Sequence, residues 1–160
     1  MSRSPATTST LTFVLSRLCL TPPAYEESRR RYPVRYLLHG MLQNYTVWGR
    51  SLGAVAQTRR LGELIIVVPD SSNSWFVNCA GADPRAAANW EDQSSGAVIP
   101  YVDAHFRTVS RRENRAIAGL SMGGFGALAL GLRHPEKFTS LGSTRVALSQ
   151  GRDAAAFLTA

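Results

Sequence analysis

The chain has 160 residues, of which 44% are hydrophobic and 18% are charged. This length suits one domain with a real core, and the composition excludes an intrinsically disordered chain. The net charge is +7, but the arginines fall in short polar clusters without interleaved aromatic residues (Arg29–Arg31, Arg59–Arg60 and Arg111–Arg112). We therefore expect solvated loops and no nucleic-acid partner. No apolar run approaches the ~20 residues that span a bilayer.

The N-terminal part predicts a tail and then a strand. Residues 1–10 are rich in Ser, Thr and Ala and predict a disordered tail, so that one domain covers residues 11–160. Leu11–Leu20 is compatible with a β-strand and is ended by Pro22 and the proline after it. Because Arg17 interrupts the apolar run, a first strand is favoured over a secretory signal. We expect a cytoplasmic protein, with secretion as the alternative.

Two further strands flank a predicted helix. Val34–Leu38 is a short strand that runs into His39-Gly40. A helix then follows a loop and stops at Gly62, since apolar residues recur at helical spacing (Trp48, Leu52, Val55 and Ala56). Leu64–Val68 is a continuous apolar run, which predicts a strand buried on both faces as in a parallel sheet.

The second half of the chain again alternates between element types. Ser71–Gln93 is predicted to be a loop, and Val98–Phe106 carries an apolar helical stripe in which Pro100 marks either a helix start or a kink. A strand (Arg115–Leu120), a helix (Met122–Leu132) and a further strand with its exit loop (Phe138–Leu148) follow. This alternation predicts an α/β fold with a mainly parallel sheet and helices on both faces.

The segment Gly119-Leu120-Ser121-Met122-Gly123-Gly124 carries the chemistry. It fits the G-x-S-x-G nucleophile elbow, in which a strained strand-to-helix turn lifts the serine Oγ clear of the sheet. The glycines let neighbouring chain pass without a Cβ clash, and the helix N-terminus favours developing negative charge. The alternative without function is a glycine-rich helix cap. The segment does not have the glycine spacing of a Rossmann or P-loop motif, and we predict no cofactor. Cys19 and Cys79 do not have the spacing of metal ligands, and we predict no metal.

A second feature is His39-Gly40-Met41, which follows a strand where a hydrolase places its oxyanion loop. The backbone N–H groups of Met41 and Met122 are predicted to bind the oxyanion. For His39 we favour a structural role in a tight turn over a role as general base, because the base normally follows the nucleophile in this fold.

These residues resemble a known family. Tyr32-Pro33-Val34-Arg35-Tyr36-Leu37-Leu38-His39-Gly40 looks like the signature start of the esterase D / putative esterase family, which includes S-formylglutathione hydrolases, feruloyl esterases and antigen 85 mycolyltransferases. Trp75–Asn78, Ile99–Arg107 and Ala116–Phe138 are similar to it as well. The resemblance implies a serine carboxylic-ester hydrolase with an α/β-hydrolase fold and a small-molecule ester substrate. Ser121 is then the nucleophile, the Met41 and Met122 amides form the oxyanion hole, and the substrate lies near His39, Gly40, Trp48, Trp75 and Asn78.

The chain departs from the family after Ser121. Family members are longer and place an acidic residue and then a histidine well after the serine, whereas the residues that follow Ser121 in this chain contain His134 and Asp153. His134 lies roughly 18 Å from Ser121 along the predicted helix at 1.5 Å per residue, too far to reach Oγ. We therefore expect a chain truncated at its C-terminus, without the last strands of the sheet and with impaired activity. An acyltransferase of the mycolyltransferase type and a non-catalytic hydrolase remnant are the alternatives.

Overall fold

A six-stranded sheet organises the part of the chain that the computed structural model describes, which is residues 11–13, 17–50, 63–78 and 90–145. The strand order is β1-β2-β4-β3-β5-β6. Strands β3, β4, β5 and β6 run parallel to one another, while β1 and β2 join one edge in antiparallel pairings. The bounds of the six strands are Leu11–Phe13, Arg17–Leu20, Val34–Leu38, Ile65–Pro69, Arg115–Leu120 and Ser140–Thr144.

The central strands explain why the predicted apolar runs form a sheet. All five residues of β4 are buried, which confirms the prediction of a strand covered on both faces. In β3 and β5 the buried positions alternate with half-buried ones, as the two-residue period of a strand requires. The prediction of a mainly parallel α/β sheet is confirmed.

Helices cover both faces of the sheet. The helical bounds are Thr46–Arg50 for α1, Trp90–Asp92 for α2, Ile99–His105 for α3 and Met122–Arg133 for α4, with a short 3₁₀ turn at Arg112–Asn114. The main core lies between the sheet and helices α3 and α4, and it includes Phe76, Val102 and Leu130. A smaller cluster on the opposite face contains Leu18, Leu20, Ile66 and Val68, against which Trp48 of α1 packs. Within the described residues, no helix is both long and apolar enough to cross a bilayer.

Two sequence predictions need correction. Leu11–Leu20 is not one strand but an antiparallel pair, β1 and β2, in which Leu11 faces Leu20. A single strand and two short antiparallel strands give the same apolar pattern, so the pattern could not reveal that the chain reverses direction between β1 and β2. The predicted loop Ser71–Gln93 ends early, because a helix begins at Trp90.

Pro100 lies in the first turn of α3, which follows a π-helical turn. A π-helical turn, Gln93–Val98, joins α2 to α3, and the proline occupies the first turn of α3. A proline has no N–H to donate and its ring crowds the preceding turn, so the first turn of an α-helix is the position where it is tolerated. Of the prediction's two alternatives, the helix start is the one that α3 shows.

Several predictions fall partly outside the described residues. The predicted disordered tail at residues 1–10 lies outside them entirely. The helix predicted up to Gly62 is described only as α1, and the strand predicted over Phe138–Leu148 is described as β6, which ends at Thr144.

A buried ion pair joins α3 to β5. The guanidinium of Arg115 lies 2.7 Å from the Asp103 carboxylate, and both side chains are largely buried. The Thr108 hydroxyl donates a second 2.7 Å hydrogen bond to the same carboxylate. Because each charge lies against its opposite, the pair can lie beneath the helix without leaving an isolated charge in the core.

We expect Asp103→Ala to lower the free energy of unfolding by about 3–5 kcal/mol, since it leaves the Arg115 guanidinium buried without a counter-ion. Glu63→Ala is the matched control, because Glu63 pairs with Arg30 through two side chains that are about two-thirds exposed. That control should cost less than about 1 kcal/mol. Urea unfolding of both variants measures the difference, and equal losses would contradict a structural role for the buried pair.

Candidate active site

Ser121 lies between the end of β5 and the start of α4, as the sequence predicts. Its backbone angles are φ 56° and ψ −116°, a conformation that residues with a side chain rarely adopt. Such strain persists only where the surrounding structure enforces it, and it is concentrated at functional sites. The strained strand-to-helix turn predicted from the glycine spacing is therefore confirmed.

The two glycines of the motif are required by close backbone contacts. A Cβ atom on Gly119 would overlap the carbonyl group of Gly123, the second residue of α4. A Cβ atom on Gly123 would lie 2.6 Å from the carbonyl oxygen of His39 and would overlap that of Leu38. The second contact also shows that the elbow touches the chain that leaves β3, where the oxyanion loop is predicted.

Strand β6 holds the elbow in place from the other side. The Ser121 N–H donates a 2.9 Å hydrogen bond to the Thr144 carbonyl, and the Thr144 hydroxyl donates to the Gly119 carbonyl at 3.2 Å. The Phe125 N–H closes the first turn of α4 onto the Ser121 carbonyl at 3.0 Å. Sequence reasoning missed Thr144, because its position follows from the β5–β6 register and no local motif marks it.

The loop after β3 forms a tight turn from Gly40 to Gln43. The Gln43 N–H donates to the Gly40 carbonyl at 3.3 Å, and the Gln43 side-chain oxygen accepts from the Gly40 N–H at 2.9 Å. Leu42 has a positive φ of 60°, and its N–H donates to the Asn73 side chain at 2.8 Å. The turn is therefore fixed to the neighbouring loop after β4.

The two predicted oxyanion donors have free backbone amides within the described part of the chain. The Met122 N–H is the first of α4, where no intrahelical acceptor exists. The Met41 N–H is the second amide of the turn, which the closing bond from Gln43 to Gly40 does not use. Among the described residues, neither amide donates to an acceptor, and the shared role of the two amides in binding an oxyanion stays a prediction.

His39 is fully buried, and both of its ring nitrogens contact backbone groups. Nδ1 lies 2.9 Å from the Gly40 carbonyl oxygen, and Nε2 accepts a 3.2 Å hydrogen bond from the Ser71 N–H. These contacts agree with the predicted structural role in a tight turn. A fully buried ring offers no surface to a substrate, so any effect of His39 on substrate binding acts through the loop. Gly40, also predicted near the substrate, is buried in the same turn.

The three other residues predicted near the substrate lie in different places. Trp75 packs edge-on against Phe125, with 5.6 Å between ring centroids, and this contact places it beside the first turn of α4. Trp48 packs on the face of the sheet opposite α4. The Asn78 side-chain oxygen accepts from the N–H groups of Glu91 and Asp92 and caps α2. Of these three residues, the structure therefore brings only Trp75 against α4, the helix that follows Ser121.

None of the three histidines of the chain contacts Ser121. His134, just past the far end of α4, lies 3.1 Å from the Glu91 carboxylate. His105 is exposed, stacks on Tyr101 and makes a 2.9 Å contact with the Tyr101 carbonyl oxygen. His39 is occupied by the backbone contacts described above. Over the described ranges, no group of three or more His, Cys, Asp or Glu side chains could hold a metal ion.

A strained serine between a central parallel strand and a helix, on a sheet covered by helices on both faces, defines the α/β-hydrolase class. Residues 16–150 match the family described as "Putative esterase". This match covers most of the chain, and the chain belongs to that family.

Relatives within this class are esterases. Esterase Rv1288 of Mycobacterium tuberculosis is 34% identical over 137 residues, which cover 84% of this chain and 29% of that protein. Acetyl esterase of Caldicellulosiruptor saccharolyticus is 29% identical over 106 residues, 66% of this chain and 38% of that protein. The chain therefore spans well under half the length of these two relatives.

Solved structures share the fold. A ferulic acid esterase superposes with a TM-score of 0.70 at 30% identity, over 82% of this chain and 58% of that one. An S-formylglutathione hydrolase from Agrobacterium tumefaciens superposes with a TM-score of 0.71 at 18% identity, over 89% of this chain and 60% of that one. The second comparison shows the fold alone.

Proposed function

We propose that this chain is a serine carboxylic-ester hydrolase that acts through an acyl-enzyme on Ser121. The observation that carries the proposal is the strained Ser121 at the junction of β5 and α4, in contact with the loop that leaves β3. The names of the relatives, all esterases, support the same class of reaction. The proposed substrate is a small-molecule ester.

The proposed reaction has two halves. The Ser121 Oγ attacks the ester carbonyl carbon, and the carbonyl oxygen becomes an oxyanion that the Met41 and Met122 N–H groups bind. The alcohol then leaves with a proton, and the acyl group stays on Oγ. Water attacks the acyl-enzyme in the same geometry and releases the carboxylic acid. The N-terminus of α4 adds a favourable potential where the negative charge develops.

The proposal includes a general base that this chain does not itself supply. A serine hydroxyl is a weak nucleophile without an adjacent base, and the contacts of His39, His105 and His134 engage them away from Ser121. We infer that the 160-residue chain alone hydrolyses esters poorly, at the residual ~10³–10⁴-fold over water that an oxyanion hole and binding supply when triad members are missing.

The test compares two proteins on a short-chain p-nitrophenyl ester. One is the chain of 160 residues, and the other, the extended chain, continues it with the downstream strands, acidic residue and histidine of a related esterase. We expect ordinary enzymatic turnover only in the extended chain, with an acyl adduct on the Ser121 peptide detected by mass spectrometry after rapid quenching. An alcohol added to the assay distinguishes hydrolysis from acyl transfer by the product formed.

Three outcomes would contradict the proposal. An acyl adduct on a residue other than Ser121 would assign the nucleophile elsewhere. Ser121-dependent turnover at ordinary enzyme rates by the 160-residue chain would mean that His39, His105 or a partner subunit supplies the base. No turnover in either protein would favour the alternative of a non-catalytic hydrolase remnant.

A further inference from the structure

The peptide group between Gly40 and Met41 connects two features of the site. Its N–H is the Met41 amide, which the proposed function uses to bind the oxyanion. Its C=O belongs to Gly40 and accepts hydrogen bonds from the Gln43 N–H and from the His39 ring. A trans peptide group is planar, with its N–H and C=O pointing in opposite directions. Whatever fixes the direction of the Gly40 carbonyl therefore fixes the direction of the Met41 N–H.

The contacts of His39 assign its tautomer. A carbonyl oxygen only accepts hydrogen bonds, so Nδ1, at 2.9 Å from the Gly40 oxygen, must carry a proton and donate. A backbone N–H only donates, so Nε2, at 3.2 Å from the Ser71 nitrogen, must be unprotonated and accept. Both requirements are met by one neutral tautomer. The Asp70 carboxylate, 3.4 Å from Nε2, approaches the same nitrogen at a longer distance than the Ser71 amide.

Packing holds the His39 ring at this angle. The ring meets Phe76 edge-on at 5.3 Å between centroids, and both side chains are fully buried. Phe76 has a positive φ of 61° and presses against Gly126 of α4, where a Cβ atom would lie only 2.7 Å from the Phe76 Cβ. The nucleophile helix, Phe76, His39 and the Gly40 carbonyl therefore form one continuous set of contacts.

We propose that His39 is a positioning residue for the oxyanion hole: its Nδ1–H holds the Gly40–Met41 peptide group in the orientation that aims the Met41 N–H at the oxyanion, while its Nε2 fixes the ring to the Ser71 amide. The part of this proposal in which the Met41 N–H binds the oxyanion rests on the proposed function. The orientation of the peptide group itself rests on the contacts of the Gly40 carbonyl, of which the one to His39 is the shorter, and the two parts can be tested separately.

Two substitutions separate the ring nitrogens. In His39→Asn the side-chain amide can occupy the place of Nδ1 and donate to the Gly40 carbonyl. In His39→Gln the longer side chain reaches the place of Nε2, keeps an acceptor for the Ser71 N–H and loses the donor to Gly40. The two variants form a matched pair, because each removes the imidazole and retains one of its two hydrogen bonds.

The first measurement is nuclear magnetic resonance on the 160-residue chain and needs no activity. Imidazole ¹⁵N shifts should show His39 with its proton on Nδ1. The Met41 amide should have an order parameter near ~0.85, as in rigid backbone, in the native protein and in His39→Asn, and should fall below about 0.6 in His39→Gln. A proton on Nε2 in the native protein would overturn the proposal, whether or not the variants fold.

The second measurement is the hydrolysis of a p-nitrophenyl ester by the extended chain. His39→Gln should lower kcat about 10²-fold, the scale of losing one oxyanion donor, while KM changes less than about threefold. His39→Asn should recover most of that loss. Equal losses of kcat in two variants that both fold would overturn the positioning role. Absence of any Ser121-dependent turnover would instead remove the proposed function and leave the resonance measurement to decide the peptide orientation.

Discussion

Replacing Ser121 by alanine should lower kcat/KM of the extended chain by at least about 10³-fold, because no acyl-enzyme can form without the hydroxyl. Alanine keeps a Cβ atom, so the strained conformation at φ 56° and the stability of the protein should change little. Ser110→Ala is a matched control, since Ser110 is exposed in the loop before the 3₁₀ turn. Activity of that control should equal that of the native protein.

Ser121→Gly separates the effect of backbone strain at this position from the effect of losing the hydroxyl. Glycine adopts positive φ without a steric penalty, so this variant should be as inactive as alanine and more stable by about 1 kcal/mol or more. Chemical denaturation of the two variants against the native chain measures the difference. A glycine variant that is less stable than the alanine variant would show that the backbone of Ser121 is not strained in solution.

The second large effect is expected at Gly123. A methyl group there would meet the carbonyl oxygens of Leu38 and His39, which belong to the backbone and cannot rotate away. We expect Gly123→Ala to cost about 3 kcal/mol or more, at the upper end of overpacking, and to abolish the activity of the extended chain by forcing the β3 loop away from the elbow.

Gly96→Ala is the control for that substitution. Gly96 lies in the π-helical turn, and nothing stands within 4 Å of the place of its Cβ. Its free energy of unfolding should stay within about 1 kcal/mol of the native value, since helical glycine is itself slightly unfavourable. Thermal unfolding of the two variants measures the contrast, and similar losses in both would mean that helix propensity, not close packing, decides the result.

The sequence predicted the structure best where several requirements fall on one short segment. A strand, a serine flanked by glycines and a helix of small residues are all required at one short segment, and Arg115–Leu120 and α4 lie where the pattern predicts them. The continuous apolar run at β4 likewise has one simple explanation, burial on both faces. Each of these features depends on residues close together in the chain.

Features that depend on distant residues were not predicted. Asn78 caps a helix that begins at Trp90, more than ten residues later in the sequence, so its role as a cap cannot be read from local spacing. Thr144 meets Ser121 only because β6 pairs with β5 in a particular register. Asp103 and Arg115 form a buried ion pair between a helix and a strand. The sequence shows two charged residues but does not show that they pair.

The pairing of β3 with β5 has a consequence for the order of folding. Residues 34–38 lie beside residues 115–119, and the contacts that enforce the backbone of Ser121 come from β3, β5 and β6 together. Pairing of strands this far apart requires closing a large loop first, which makes parallel sheets slow to form. A nascent chain cannot complete the elbow until residues up to Thr144 have left the ribosome and docked. The strained turn at Ser121 therefore forms only after these distant strands have paired, and its geometry reports that β3, β5 and β6 have docked.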